Sequence, residues 1–232
     1  MYAAPPSDFY DKDGNLVKHV NDGSTAQYKQ VGKGLNLHYE FIGFDKSQSA
    51  IPSVAKNTVN LTTAIEEQQS LNLSNSTLDP VVGTNGTTTY CNFATQNILN
   101  TIASATDNSS GIAMTGMANS MSDQFATSPL LQSADKGTAL ANAENGGLSL
   151  LGYKNPGGHG HVASLSVGDN VGKGEVANVG RSNGFLPIGP EKGSVFGRKS
   201  IESVKFYTLR PTVTPKTAEP PRPPIIGTFK IY

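Results

Sequence analysis

Residues 91–106, CNFATQNILNTIASAT, carry the reading on which the fold turns. Cys91, Ala94, Ile98, Ile102 and Ala105 recur at helical spacing and make an apolar face about four turns long. The cysteine therefore opens a buried helix. A stretch rich in glycine and threonine, DPVVGTNGTTTY (79–90), leads into it and reads as a loop. Upstream, LTTAIEEQQSL (61–71) predicts a second helix, with Thr63 and Glu66 as a capping box and Ile65 and Leu71 available to a core. Downstream, shorter helices are expected over 112–126 and 134–145, separated by Ser128-Pro129 and ended by Gly146-Gly147.

Strand patterns lie on either side of this helical block. FYDKDGNLVKHV (9–20) alternates around Asp13-Gly14, a β-hairpin signal because a tight turn needs positive φ. An EF-hand loop would require a closing glutamate where Asp22 stands. LNLHYEFIGF (35–44) alternates as another strand, so the first fifty residues form a small β unit. Strands are also expected over 160–167, 174–180 and 202–209, the last with Val204, Phe206 and Thr208 on one face. RPTVTPKTAEPPRPP (210–224) holds too many prolines for a sheet interior. The sequence thus predicts an α+β protein with an N-terminal β-hairpin or connector segment (1–57), a main domain (58–210) and an extended Pro-rich tail (211–232).

Composition excludes several classes of function. Eighteen basic and 18 acidic residues balance to zero net charge, with no Lys/Arg-rich run, so nucleic acid is not an expected partner. The longest apolar runs, such as GGLSLLGY (146–153), fall far short of the ~20 residues that span a bilayer, and no signal-peptide pattern is present. A single cysteine, Cys91, permits no intrachain disulfide. Neither a metal site nor a cofactor is expected from so few ligand residues.

Chemistry is concentrated at three places. A cysteine at a helix N-terminus lies where unsatisfied N–H groups and the helix dipole favour an anion, which lowers the thiol pKa and suits a thiolate nucleophile. The same N–H groups can stabilise a developing oxyanion. In GHGHVASLSVG (158–168), His161 is in phase with Ala163, Leu165 and Val167, which places it on a buried strand face as a base for Cys91. His159 has the same parity, but its flanking glycines disfavour a regular strand there, so His161 is preferred. If 160–167 and 174–180 form a hairpin centred on Asp169-Asn170, paired numbers sum to 339 and Asn178 faces His161, able to orient the imidazole. Asn85 is a candidate side-chain oxyanion donor by its distance before Cys91.

TYCNFATQNIL (89–99), GHGHVASLSVG and EVANVG (175–180) together resemble the core of papain-like cysteine amidases and peptidases, in particular the NlpC-like and CHAP-like enzymes that cut peptidoglycan. The resemblance covers roughly 58–210 and implies a catalytic helix packed on an antiparallel sheet. It implies Cys91 as nucleophile, His161 as general base and Asn178 as orienter, with peptidoglycan peptide or protein as substrate. The N-terminal FYDKDGNLVKHVNDGSTAQY (9–28) is also similar to the segment that joins an Rhs-type shell to its C-terminal toxin. That similarity implies a polymorphic toxin domain of a longer bacterial protein, secreted or delivered to the cell envelope, with a cognate immunity protein.

Overall fold

The Asp13-Gly14 hairpin forms where its alternation places it. β1 (Ser7–Tyr10) runs antiparallel to β2 (Leu16–Val20). Asp11 Oδ1 accepts from the N–H groups of Asp13 and Asn15, and Gly14 takes φ +89°, a conformation that only glycine adopts without strain. The structure is a computed structural model that describes residues 6–45, 60–84, 86–107, 114–168, 174–211, 213 and 216. The boundary expected at 57, the hairpin centre at 169–170, Asn85 and nearly all of the Pro-rich tail lie outside the described residues.

β3 (Ala26–Val31) pairs parallel to β1, and β4 (His38–Phe44) antiparallel to β3, giving the order β2-β1-β3-β4. Phe9 stacks on Tyr28, and Tyr39 meets Phe9 edge-on, so the inner face of this sheet is an aromatic cluster. That cluster closes on Ala64 and Ala105 of the helices described next.

α1 (Leu61–Ser74) starts three residues earlier than a Thr63 cap allows. Asn60 is the cap, its Oδ1 accepting from Thr63 N, while Thr63 lies within the first turn and its hydroxyl donates to Asp22 Oδ2. The expected Thr63–Glu66 capping box is therefore corrected by one upstream carboxamide. Part of the stretch read as loop forms a short hairpin, β5 (Val81–Gly83) with β6 (Gly86–Thr88). α2 (Cys91–Ala105) spans the length its apolar spacing predicts. α3 (Ala118–Thr127), β7 (Leu131–Ala134) and α4 (Lys136–Glu144) follow.

The remaining strands are β8 (Ser149–Tyr153), β9 (His161–Leu165), β10 (Glu175–Asn178), β11 (Gly184–Pro187) and, after the short α5 (Arg198–Ile201), β12 (Val204–Leu209). With β7 they form an antiparallel sheet in the order β11-β10-β9-β8-β12-β7. The architecture is α+β. Among the described residues no helix is long and apolar enough to cross a membrane.

Both faces of the sheet centre are covered. Gln69 of α1 donates to Ser164 Oγ, and Gly152 lies so close to Ser122 and Phe125 of α3 that a side chain there would clash, so α1 and α3 share the face of Gly152, Val162 and Ser164. α2 packs against both helices and against β9. On the opposite face Ser149 Oγ donates to Ala139 O of α4, and Phe196 meets Tyr153 and His161 edge-on. Phe196 belongs to the segment that crosses from β11, at one sheet edge, to β12 beyond β8.

Candidate active site

The first residue of α2 puts its sulfur against β9. Tyr90 is the residue before the helix and makes no side-chain cap, which leaves the first-turn N–H groups without one. The N–H groups of Val162, Asn92 and Cys91 itself and the Thr89 hydroxyl lie close enough to the Cys91 thiol to favour its anion. The helix therefore starts at the backbone of the residue next to His161.

Burial decides the charge of this sulfur. Cys91 is 4% exposed, and loss of water pushes its pKa above the ordinary thiol value despite the N–H donors, which pull it down. The lowered pKa expected from the helix terminus is thus overturned, because desolvation outweighs the terminal N–H groups. The resting group is a neutral thiol.

His161 opens β9 directly opposite Tyr153 of β8 and shares its face with Tyr153 and Phe196. The Phe196 ring lies 5.7 Å away, edge-on to the imidazole. The imidazole thus points to the face covered by the β11–β12 crossover, while the thiol reaches the strand at its backbone. The thiol lies beside Val162, the residue that follows His161, and thiol and imidazole share no direct hydrogen bond. Burial lowers the His161 pKa to about 4, with a contact to Asn178 acting in the opposite sense. Neutral imidazole is therefore the resting form.

β9 and β10 pair Leu165 with Val176 and Ser164 with Ala177, so paired numbers sum to 341 and not to the expected 339. Asn178 is not directly opposite His161. The displacement is by an even number, however, so Asn178 keeps the His161 face and becomes its diagonal neighbour. Its Nδ2 donates to Ser182 O at 2.5 Å, which turns Oδ1 away from that carbonyl. His161 Nε2 and Asn178 Oδ1 are both sealed from solvent, and among the described residues neither has a hydrogen-bond partner, the other included. They are complementary, a donor-capable nitrogen and an acceptor oxygen in neighbouring side chains that interact.

Of the two histidines in GHGHVASLSVG, His159 is exposed in the loop before β9. Asn119 of α3 builds that loop, donating to Asn155 O and Gly158 O and accepting from Asn155 N, each at 3.0 Å. Sequence reasoning missed four members of the site: Phe196, the Thr89 hydroxyl, the Val162 N–H and the Ser182 carbonyl. Two are backbone groups, and Phe196 arrives from a crossover that no periodicity announces. Thr89, two residues before Cys91, was within reach of inspection. A cavity of about 190 Å³ lined by Ile65, Ile102, Leu148 and Arg210, among others, includes none of the three site residues. Among the described residues no three His, Cys, Asp or Glu side chains gather as a metal site.

Compared with models of known protein families and with curated protein sequences, the chain matches none.

Proposed function

We propose that this protein is a papain-like cysteine hydrolase that cleaves an amide bond, with Cys91 as nucleophile, His161 as general base and Asn178 as the residue that orients the imidazole. The observation that carries the reading is the adjacency of two unlinked segments: the sulfur at the head of α2 lies beside the Val162 N–H, next to an imidazole that interacts with the Asn178 carboxamide, with Nε2 and Oδ1 both buried and unpartnered. A purely structural cysteine or histidine has no use for that coincidence.

The resting charges suggest the order of events. Both groups are neutral, so no thiolate–imidazolium pair waits for substrate. With Nε2–H turned to Asn178, the lone pair of Nδ1 is the one available to the thiol proton. Substrate binding brings the ring and sulfur into reach, a tightening that resting sites commonly need. His161 takes the proton as sulfur attacks the carbonyl carbon, and the oxyanion forms beside the first-turn N–H groups of α2. His161 then protonates the departing amine, water attacks the acyl-enzyme, and the acid is released with the thiol restored.

The substrate reading comes from the family resemblance, which favours peptidoglycan peptides over a protein target of a delivered toxin. Muropeptides or intact peptidoglycan incubated with the protein should yield new amino groups and free acid, and Cys91→Ala should abolish them. Equal product from both proteins ends the hydrolase reading; a Cys91-dependent product from protein substrates alone moves it to a peptidase or deamidase effector. Burial of Cys91 favours one competing reading, a non-catalytic surface module with an inert core cysteine. Alkylation separates the two: His161→Gln should slow modification of Cys91 by roughly 10-fold or more at neutral pH if the imidazole serves the sulfur, and leave it unchanged in an inert core.

A further inference from the structure

We propose that Asn183 is a positioning residue of this site: it anchors the turn after β10 so that the Ser182 carbonyl selects which end of the Asn178 carboxamide faces His161. The inference rests on the triad reading above. A carboxamide can present oxygen or NH₂ to a neighbour with nearly the same shape, so the orientation of Asn178 needs an outside reference. Ser182 O is that reference, because it accepts Asn178 Nδ2 at 2.5 Å and leaves Oδ1 for the imidazole.

The carbonyl is held by the carboxamide that follows it. Asn183 Oδ1 accepts from Gly180 N at 3.0 Å, closing the turn on itself. Asn183 Nδ2 donates to Leu78 O at 3.1 Å and to Asp79 Oδ1 at 3.3 Å, fastening the turn to a segment 105 and 104 residues away in the chain. That segment is fixed in turn, since the Leu78 side chain is fully buried against Ala94 and Val179. Close approach is required as well: a Cβ on Gly180 would stand 3.0 Å from Asn178 Nδ2. One side chain therefore ties the strand end that carries Asn178 to the chain that leads into Cys91.

The chemical consequence falls on the tautomer. With Oδ1 facing it, the imidazole keeps its proton on Nε2 and its lone pair on Nδ1. A flipped carboxamide would offer N–H to Nε2, move the proton to Nδ1 and remove the base from the thiol.

Three variants test this with two readouts, neither of which needs a substrate. Nitrogen-detected NMR of the His161 ring, assigned by comparison with His161→Gln, reports the tautomer. The pH profile of iodoacetamide alkylation reports the single cysteine. Wild type should show the Nε2–H form, while Asn183→Ala should show mixed tautomers and alkylation at neutral pH slowed by roughly 10-fold. Asn183→Asp keeps an acceptor for Gly180 N but sets a carboxylate against Leu78 O and Asp79 Oδ1, so it should show mixed tautomers and slowed alkylation as well, and it remains informative if Asn183→Ala fails to fold. Asn178→Ala is the reference. If Asn178→Ala changes tautomer and reactivity but a folded Asn183→Ala or Asn183→Asp matches wild type, Asn183 has no positioning role. If Asn178→Ala itself changes nothing, the triad reading has failed.

Discussion

At the scale of single residues, the site is governed by water exclusion more than by charge. Cys91 was legible as the head of a helix because apolar spacing marks where the helix begins, but its pKa was not, because that depends on residues far away in sequence that bury it. His161 has a measurable consequence. Its folded pKa of about 4 lies below the ordinary value of 6.5, so the unfolded chain binds the proton more readily between these limits. Stability should be complete above about pH 6.5 and fall as pH drops towards about 4. The loss is at most about 3 kcal/mol, since the residue keeps some exposure although Nε2 is sealed. Denaturant titrations should show that His161→Gln flattens this dependence; an undiminished slope would mean that other groups are responsible.

Elements show why the shared face of His161 and Asn178 tolerated an error in register. The turn of the β9–β10 hairpin was misplaced by one residue at its centre, which shifts every pair by two and changes no face. An odd slip would have turned Asn178 to the α1 side. β8 and β7 went unread for opposite reasons. SLLGY is buried on both faces and shows no alternation, whereas LQSA is too short and polar to carry a pattern. The α1 cap was misplaced because Thr63 and Asn60 are both good N-cap residues and only geometry chooses between them. Asn60→Ala should lower stability by about 1 kcal/mol, as read from thermal or chemical melting. The approach to β9 is more sensitive. A Cβ at Gly160 would lie 2.3 Å from Asn119 Oδ1 and 2.4 Å from Tyr153 O. Gly160→Ala should therefore displace the start of β9, costing about 2 kcal/mol or more and uncoupling His161→Gln from any further effect on Cys91 alkylation.

For the whole molecule, the N-terminal sheet is joined to the helices through a polar seam as well as an apolar one. Gln68, completely buried, accepts from Tyr39 N and the Thr101 hydroxyl and donates to Asn72 Oδ1. Asn97 Nδ2 also donates to Asn72 Oδ1, so α1, α2 and β4 share one hydrogen-bonded network. Composition hid this seam, because glutamine and asparagine read as surface residues until their partners are known. Gln68→Leu should cost about 2–4 kcal/mol by stranding these groups, with hydrogen exchange at Tyr39 N among the first to accelerate. Wild-type protection at that amide would show that the seam can be remade without it.

The order β11-β10-β9-β8-β12-β7 places the last strand among the described residues between two that are synthesised long before it. β8 keeps an open edge, and β7 has no sheet to join, until residues 204–209 have left the ribosome. The crossover that brings Phe196 over His161 is tied at its near end by Val195 N to Pro187 O and Phe196 N to Ile188 O, and runs at its far end into β12. Vectorial synthesis therefore delivers Cys91, His161, Asn178 and Phe196 before β12, so a nascent chain stalled there holds every member of the site while β8 still lacks the neighbour that closes the sheet.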